Sequence, residues 1–291
     1  MLHGEGGNPT DVELTQVLIF GLAALVVGTV VAMTGFGLST SLTPLFALTF
    51  PTQIAVMLVA IIHFSNNSFR LYLFRKHVDL ALIRRFGILA ILGALVGTQL
   101  SVQLHSDWLK VVLGVSLMTL GGVEMVYAGW HFPEKWDRAG GVLTGLLGGL
   151  VGNQGAIRAA FLANYNIRKE AFIATGTMIS TFVDLTRIPQ YLFWRFDEIA
   201  SRWPLLGAVT LCAWGGTYLG KRFVGLVSQA QFKKFVNGMV VFLGVVMIVQ
   251  GVGTVTENWV YAAGAAAAAI VVLGTLGLLV RALRTQEAAV A

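Results

Sequence analysis

Long apolar runs alternate with short charged segments along almost the whole chain. Runs fall at 16–49, 53–74, 80–104, 108–130, 141–165, 169–193, 203–224, 231–251 and 258–283. About 20 apolar residues cross a bilayer as one helix. Two of the runs are interrupted, by Gly35-Phe36-Gly37 and by Gly152-Asn153-Gln154-Gly155. The pattern predicts an all-α, polytopic helical membrane protein with broken or re-entrant helices. His131 to Gly141 is the longest hydrophilic stretch, and the chain divides around it.

The two halves echo each other. Gly35, Arg70, Asp79 and Gly97 in the first match Gly152, Arg187, Asp197 and Gly216 in the second, at offsets of 117, 117, 118 and 119. A nearly constant shift across four landmarks marks an internal repeat, the usual construction of transporters. The expected organisation is a short polar N-terminus (1–15), repeat 1 (16–130), a connecting loop (131–141), repeat 2 (142–251), and an added C-terminal helix with its tail (252–291). About four helices per repeat would make the repeats parallel. A re-entrant segment would change the count and the relative orientation, and both arrangements stay open.

Composition narrows the class. Hydrophobic residues make up 56% and charged residues 12%, against roughly 25% charged in a soluble domain; mean hydropathy is +0.76. No stretch is left over for a sizeable soluble catalytic or nucleotide-binding domain. The net charge of +6 belongs to segments between apolar runs, where anionic lipid headgroups and membrane topology account for it. The lipid bilayer, not nucleic acid, is the expected partner. Cys212 is alone, so neither a disulfide nor a cysteine metal cluster is expected. Met1 to Thr15 contains Glu5, Asp11 and Glu13 but no Lys or Arg, so no cleavable signal peptide is expected.

Were each of the nine runs to cross once, eight Lys/Arg would lie on the N-terminal side and nine on the other. That balance does not orient the chain. The acidic N-terminal flank and the basic tail favour an outside N-terminus.

Arg70, Arg158 and Arg187 fall inside apolar runs. A charge near the bilayer centre costs a few kcal/mol even on lenient scales, so it faces a cavity or a partner, or snorkels to the interface. Arg70 and Arg187 hold matching places, each with a polar residue at i−3, Asn67 and Asp184, on the same helix face. Asn66 adjoins the first pair. Arg158 is nearer the middle of its run, where snorkelling is harder.

The glycine breaks read as helices interrupted in mid-membrane, with Ser39 or Thr40 placed to cap the first restart. Helix starts expose free N–H groups and the positive end of the dipole, which attract anions. Glycines also serve close packing, as Gly141, Gly145 and Gly149 at four-residue spacing suggest. Two positive helix ends, three arginines and several amides around one acid suit a small anion. His63 lies seven residues before Arg70 on nearly the same face; with Asp184 it is the candidate to carry a coupling proton. No metal, cofactor or enzyme signature is found, including His-Glu-x-x-His, Gly-x-Ser-x-Gly or a phosphate-binding loop. Gly93/Gly97 and Gly216/Gly220 fit either intra-chain contacts or a homodimer face.

With these features together, the chain resembles the sulfite exporter TauE/SafE family of membrane permeases. The likeness covers roughly 16–251 and rests on Thr34-Gly35-Phe36-Gly37 with Pro44, Ala55 to Asp79, Gly152 to Arg158, Glu170-Ala171, Ala174-Thr175-Gly176-Thr177, and Gly216 to Gly220. It departs from the family's more glycine-rich pattern at Leu38, Asn153 and Gln154. The resemblance implies a secondary transporter, not an enzyme, that exports sulfite, sulfonates or related organic anions across a bacterial inner membrane. Gly35, Phe36, Gly37, Ser39, Thr40, Asn66, Asn67, Arg70, Gly152, Asn153, Gln154, Gly155, Arg158, Asp184 and Arg187 are the expected substrate-binding residues. Transport of another organic anion or a metal ion is the alternative, and an intramembrane enzyme ranks lower.

Overall fold

A computed structural model describes residues 9–34, 37–126, 134–162, 165, 167–223, 229–261, 263–265, 267, 268 and 271. Every regular element among these residues is helical. In chain order they are α1 (Pro9–Thr34), α2 (Leu38–Ala47), α3 (Thr52–Phe74), α4 (Leu80–Leu82), a π-helical turn (Ile83–Gly87), α5 (Ile88–Gln103) and α6 (Ser106–Val126). The second half holds α7 (Asp137–Val151), α8 (Gly155–Leu162), α9 (Lys169–Ala200), α10 (Trp203–Phe223) and α11 (Gln229–Thr256). Short 3-10 turns lie at Arg75–His77 and Glu134–Trp136. Most of the 258–283 run lies outside the described residues.

Much of the exterior is apolar, and the largely hydrophobic interior also holds buried polar and charged groups. Leu14, Leu18, Leu22 and Val26, four residues apart on α1, are all more than half exposed, whereas Asp184, Arg187 and Asn153 are fully buried. That inversion of a soluble protein's surface is what a hydrocarbon solvent selects. Thr52–Tyr72 and Leu80–Gln103 are long and apolar enough to cross unaided, with mean hydropathies of 1.4 and 1.9.

The chain reverses at the two glycine breaks instead of continuing through them. Gly37 has φ 116° and Gly152 φ 76°, left-handed values that an L side chain rarely adopts. Had α1 simply resumed, Phe46 would lie about 39 Å from Phe20 at 1.5 Å per residue. Their rings stand 4.2 Å apart. α2 is therefore a half-length helix folded back along α1. In the same way α8 returns along α7, bringing the Phe161 ring against Gly140. Of the broken and re-entrant arrangements left open by the sequence, the described residues follow helical hairpins, because the sense of the chain at a left-handed glycine is set by its dihedrals, not by hydropathy.

Small residues set the helix pairing and its direction. Gly141, Gly145 and Gly149 of α7 lie against the backbone of Phe86, Ala90 and Ala94, so α5 and α7 run parallel. Gly216 and Gly220 of α10 meet the carbonyls of Leu25 and Thr29, so α1 and α10 are parallel too. A Cβ on Gly114 would stand 2.7 Å from the Gly244 carbonyl, and Gly251 faces Val111, so α6 and α11 are antiparallel. α3 packs antiparallel on α9, with the Asp79 N–H donating to Thr175 Oγ1 at 2.9 Å. Asp79 also caps α4 through the Ala81 and Leu82 amides. The Gly93/Gly97 and Gly216/Gly220 alternatives resolve to intra-chain contacts.

These directions redistribute the surface charge. Arg75, Lys76, Arg84, Arg85, Lys135, Arg138, Arg168, Lys169, Lys221, Arg222, Lys233 and Lys234 lie toward the face opposite the start of α1. Lys110, Arg195 and Arg202 lie toward the other. Among the described residues, which leave out Arg281 and Arg284, the expected near-equality of eight and nine becomes twelve and three, because α1 and α2 together return the chain to its starting side before α3 begins.

Candidate functional site

The two half-length helices begin side by side in the protein interior. Thr40 Oγ1 donates to Asn153 Oδ1 at 3.0 Å, and Asn153 Nδ2 donates to Ser116 Oγ of α6 at 3.1 Å. Gly152 ends α7, its N–H bonding the Gly148 carbonyl at 3.0 Å while the Asn153 N–H bonds the Leu147 carbonyl at 3.2 Å. This crossed pair closes the helix at a left-handed glycine. A Cβ there would come 2.8 Å from Ser39 Oγ and 3.2 Å from Arg187 Nη1, so the position also needs glycine for want of room.

Neither Ser39 nor Thr40 caps α2, contrary to expectation. Gly37 is the N-cap and contributes no side chain. Ser39 Oγ pairs instead with Thr43 Oγ1 at 3.4 Å, and Thr40 is drawn to Asn153. Gly37 gives α2 no side-chain cap, and the first amides of a helix have no intrahelical acceptor.

A polar cluster on α3 and α9 adjoins these starts. Asp184 Oδ1 accepts from Arg187 Nε at 3.0 Å and lies 2.8 Å from Nη2. Its Oδ2 lies 2.7 Å from His63 Nδ1 and accepts from Asn67 Nδ2 at 3.4 Å. Arg187 Nη1 also donates to the Gly148 carbonyl at 2.9 Å, and the Tyr191 hydroxyl donates to the Gly149 carbonyl at 2.9 Å. The Tyr191 bond satisfies a carbonyl at the end of α7, and the Arg187 bond adds a second donor to the Gly148 carbonyl that the Gly152 N–H already reaches. Arg158, on α8, donates to Ser180 Oγ of α9. All three intramembrane arginines are buried, which overturns the snorkelling alternative: their helices present them to protein.

Gln154 differs from its neighbours. It immediately precedes α8, is buried, and neither its Oε1 nor its Nε2 has a hydrogen-bond partner. Its side chain packs over Gly148, beside Val183. Leaving an amide unpaired in an apolar interior costs roughly 1–3 kcal/mol, so a native group in this state calls for a reason.

The residue-by-residue outcome is uneven. Gly37, Ser39, Thr40, Gly152, Asn153, Gln154, Gly155, Arg158, Asp184, Arg187, Asn67 and His63 all fall at the helix starts or in the adjoining cluster. Arg70 is buried near the end of α3. Asn66 turns to α10, where its Oδ1 accepts from Thr217 Oγ1 at 2.8 Å. Gly35 and Phe36 lie outside the described residues. Ser116, Ser180 and Tyr191 were not anticipated, although Ser180, Asp184, Arg187 and Tyr191 form a readable polar stripe at helical spacing on α9.

The family described as sulfite exporter TauE/SafE matches residues 20–247. The chain belongs to this family. It is accordingly a multi-pass membrane protein, and the apolar exterior is its lipid-facing surface. A curated relative, sulfite exporter TauE/SafE family protein 3 of Arabidopsis thaliana, is 24% identical over 116 residues, covering 40% of this chain and 24% of that protein. The match thus spans about a quarter of the relative's length. No solved structure matches the chain.

Proposed function

We propose that the protein is a secondary transporter exporting small sulfur-containing anions, sulfite or organosulfonates, held where α2 and α8 begin. The observation that carries this reading is the buried, doubly unpartnered amide of Gln154 at the start of α8, with Arg187 and the start of α2 beside it. An oxyanion there would accept from Gln154 Nε2 and from the first amides of the two helix starts, which are natural anion cradles. Arg158 and Arg187 against the one carboxylate of Asp184 leave a positive charge to be balanced. The His63–Asp184 pair is the proposed proton carrier.

Two inverted repeats complete the reading, α1–α6 and α7–α11. Under the offset of 117–119 residues α1 corresponds to α7, α2 to α8, α3 to α9, α5 to α10 and α6 to α11. Exchanging the halves then turns the α1–α10 pair into α7–α5, while α3–α9 and α6–α11 map onto themselves. That is the signature of a two-fold relation. With an odd number of passes per half, the axis lies in the membrane plane, as in many transporters with a midplane site. The face with twelve basic residues is the cytoplasmic one under the positive-inside rule, which leaves the start of α1 outside.

Anion flux in proteoliposomes tests the function. Sulfite, thiosulfate, sulfoacetate, taurine, sulfate and a non-sulfur carboxylate would be compared with and without a pH gradient. Saturable flux of sulfur oxyanions or sulfonates, lost in Arg187→Ala and reduced in Gln154→Ala, is expected. Absence of flux for every anion from folded protein would overturn the reading, and carboxylate-only flux would overturn the substrate.

A further inference from the structure

A second pocket lies away from the Asp184 cluster, on the face where α1 begins. It is a cleft of about 380 Å³ in which Gln16, Ser201 and Arg202 supply polar groups and Val17, Phe50 and Leu205 supply apolar walls. Phe50 closes an aromatic stack, its ring centroid 5.9 Å from Phe46 and 5.8 Å from Phe20. α2 leads from this stack to Ser39 and Thr40, so ten helical residues, about 15 Å, separate the cleft from the central cluster.

The charge in the cleft is specific. The Arg202 guanidinium stands 5.5 Å over the Phe50 ring and donates to Ser201 Oγ at 3.1 Å and to the Glu198 carbonyl. The Glu198 carboxylate is taken by Arg195 at 2.6 Å, and among the described residues no carboxylate pairs with Arg202. A cation with a hydroxyl and an amide beside it suits an anionic head. The aromatic and aliphatic walls suit a carbon body, which bare sulfite lacks. The volume falls within the roughly 300–1,000 Å³ typical of small-molecule pockets.

We propose that this cleft is a second binding site, an outer vestibule for small organic anions such as alkanesulfonates. Arg202 pairs with the sulfonate, and Val17, Phe50 and Leu205 receive the organic part. The inference rests on the transport reading for its purpose but is tested without it.

The experiment is calorimetric titration of the full chain, in nanodiscs of zwitterionic lipid, with methane-, ethane-, propane- and butanesulfonate. Affinity is expected to rise by up to about four-fold per methylene. Arg202→Gln should weaken butanesulfonate by about ten-fold, whereas Arg202→Lys should keep most of the affinity and show that the variant site folds. A flat chain-length series, or unchanged affinity in Arg202→Gln, would overturn the proposal. Loss of butanesulfonate binding on adding phosphatidylglycerol would overturn it in favour of a lipid headgroup in the cleft. Sulfite flux is read separately: its failure would remove the transport reading while leaving the titration to judge the cleft.

Discussion

His63 Nδ1 lies 2.7 Å from Asp184 Oδ2, joining α3 to α9 across 121 residues of sequence. The other oxygen of the same carboxylate is held by Arg187. One acid therefore links a group able to take up a proton to a permanent cation, and the cation touches the carbonyl at the end of α7. In this arrangement a proton on the His63–Asp184 pair changes the charge felt by Arg187 and by anything bound beside it. His63→Gln should abolish the extra anion flux that a pH gradient drives, measured in proteoliposomes with the gradient set and then collapsed. Gradient-driven flux that persists in the variant would remove His63 from the coupling.

Arg187 and Asp184 should be tightly coupled in stability. Removing one member of a buried pair strands the other, at about 3–5 kcal/mol. Arg187→Ala and Asp184→Ala should each lower thermal stability in detergent strongly. The double variant should lose much less than the two single losses added together. Additive losses would mean that the two side chains are stabilised by separate surroundings.

Much of this organisation was legible in the sequence, and the missing part has a definite cause. The broken helices, the i−3 acid of Arg187 and the glycine faces of α7 and α10 are local patterns, each written within about two turns of chain. Whether Gly37 and Gly152 pass the chain onward or turn it back depends on backbone dihedrals that hydropathy does not encode. That one ambiguity left the number of crossings per half open and hid the charge asymmetry. Asn66 and Asn67 look equivalent in sequence, but neighbours on a helix point about 100° apart, so one meets Thr217 of α10 and the other the acid on α9. The partners of Asn153 come from α2 and α6, which no local spacing could announce.

The helix pairing predicts a sharp contrast between two glycines. A Cβ on Gly145 would run into the Ala90 carbonyl, whereas one on Gly207 would meet nothing within 4 Å. Gly145→Ala should therefore cost about 1–3 kcal/mol through overpacking. Gly207→Ala, within a helix and exposed, should be neutral or stabilising by up to about 1 kcal/mol. Thermal unfolding followed through the thiol of Cys212 would read both. Equal effects would contradict the close approach of α5 and α7.

The charge asymmetry predicts sidedness. In a Cys212→Ser background, His105→Cys and Ser201→Cys should react with a membrane-impermeant thiol reagent added outside intact cells. Lys76→Cys and Arg84→Cys should react only after permeabilisation. All four parent positions are exposed, so access and not burial is what the labelling reads. The reverse pattern would turn the molecule over, and labelling of all four from one side would refute the assigned helix directions.

Asn153 and Gln154 are adjacent amides whose substitution should have opposite consequences. Asn153 bridges Thr40 and Ser116, so Asn153→Ala strands partners in the core and should cost about 1–3 kcal/mol of stability. Gln154 gives up no hydrogen bond when truncated. Gln154→Ala should leave thermal stability close to that of the unaltered protein, offset only by the small void above Gly148, yet should weaken anion binding by about ten-fold if its amide holds an oxyanion. The test is a paired measurement of melting temperature and half-saturating sulfite concentration on both variants. A Gln154→Ala protein that melts early with unchanged sulfite dependence would mark this amide as a structural element and move the anion site elsewhere.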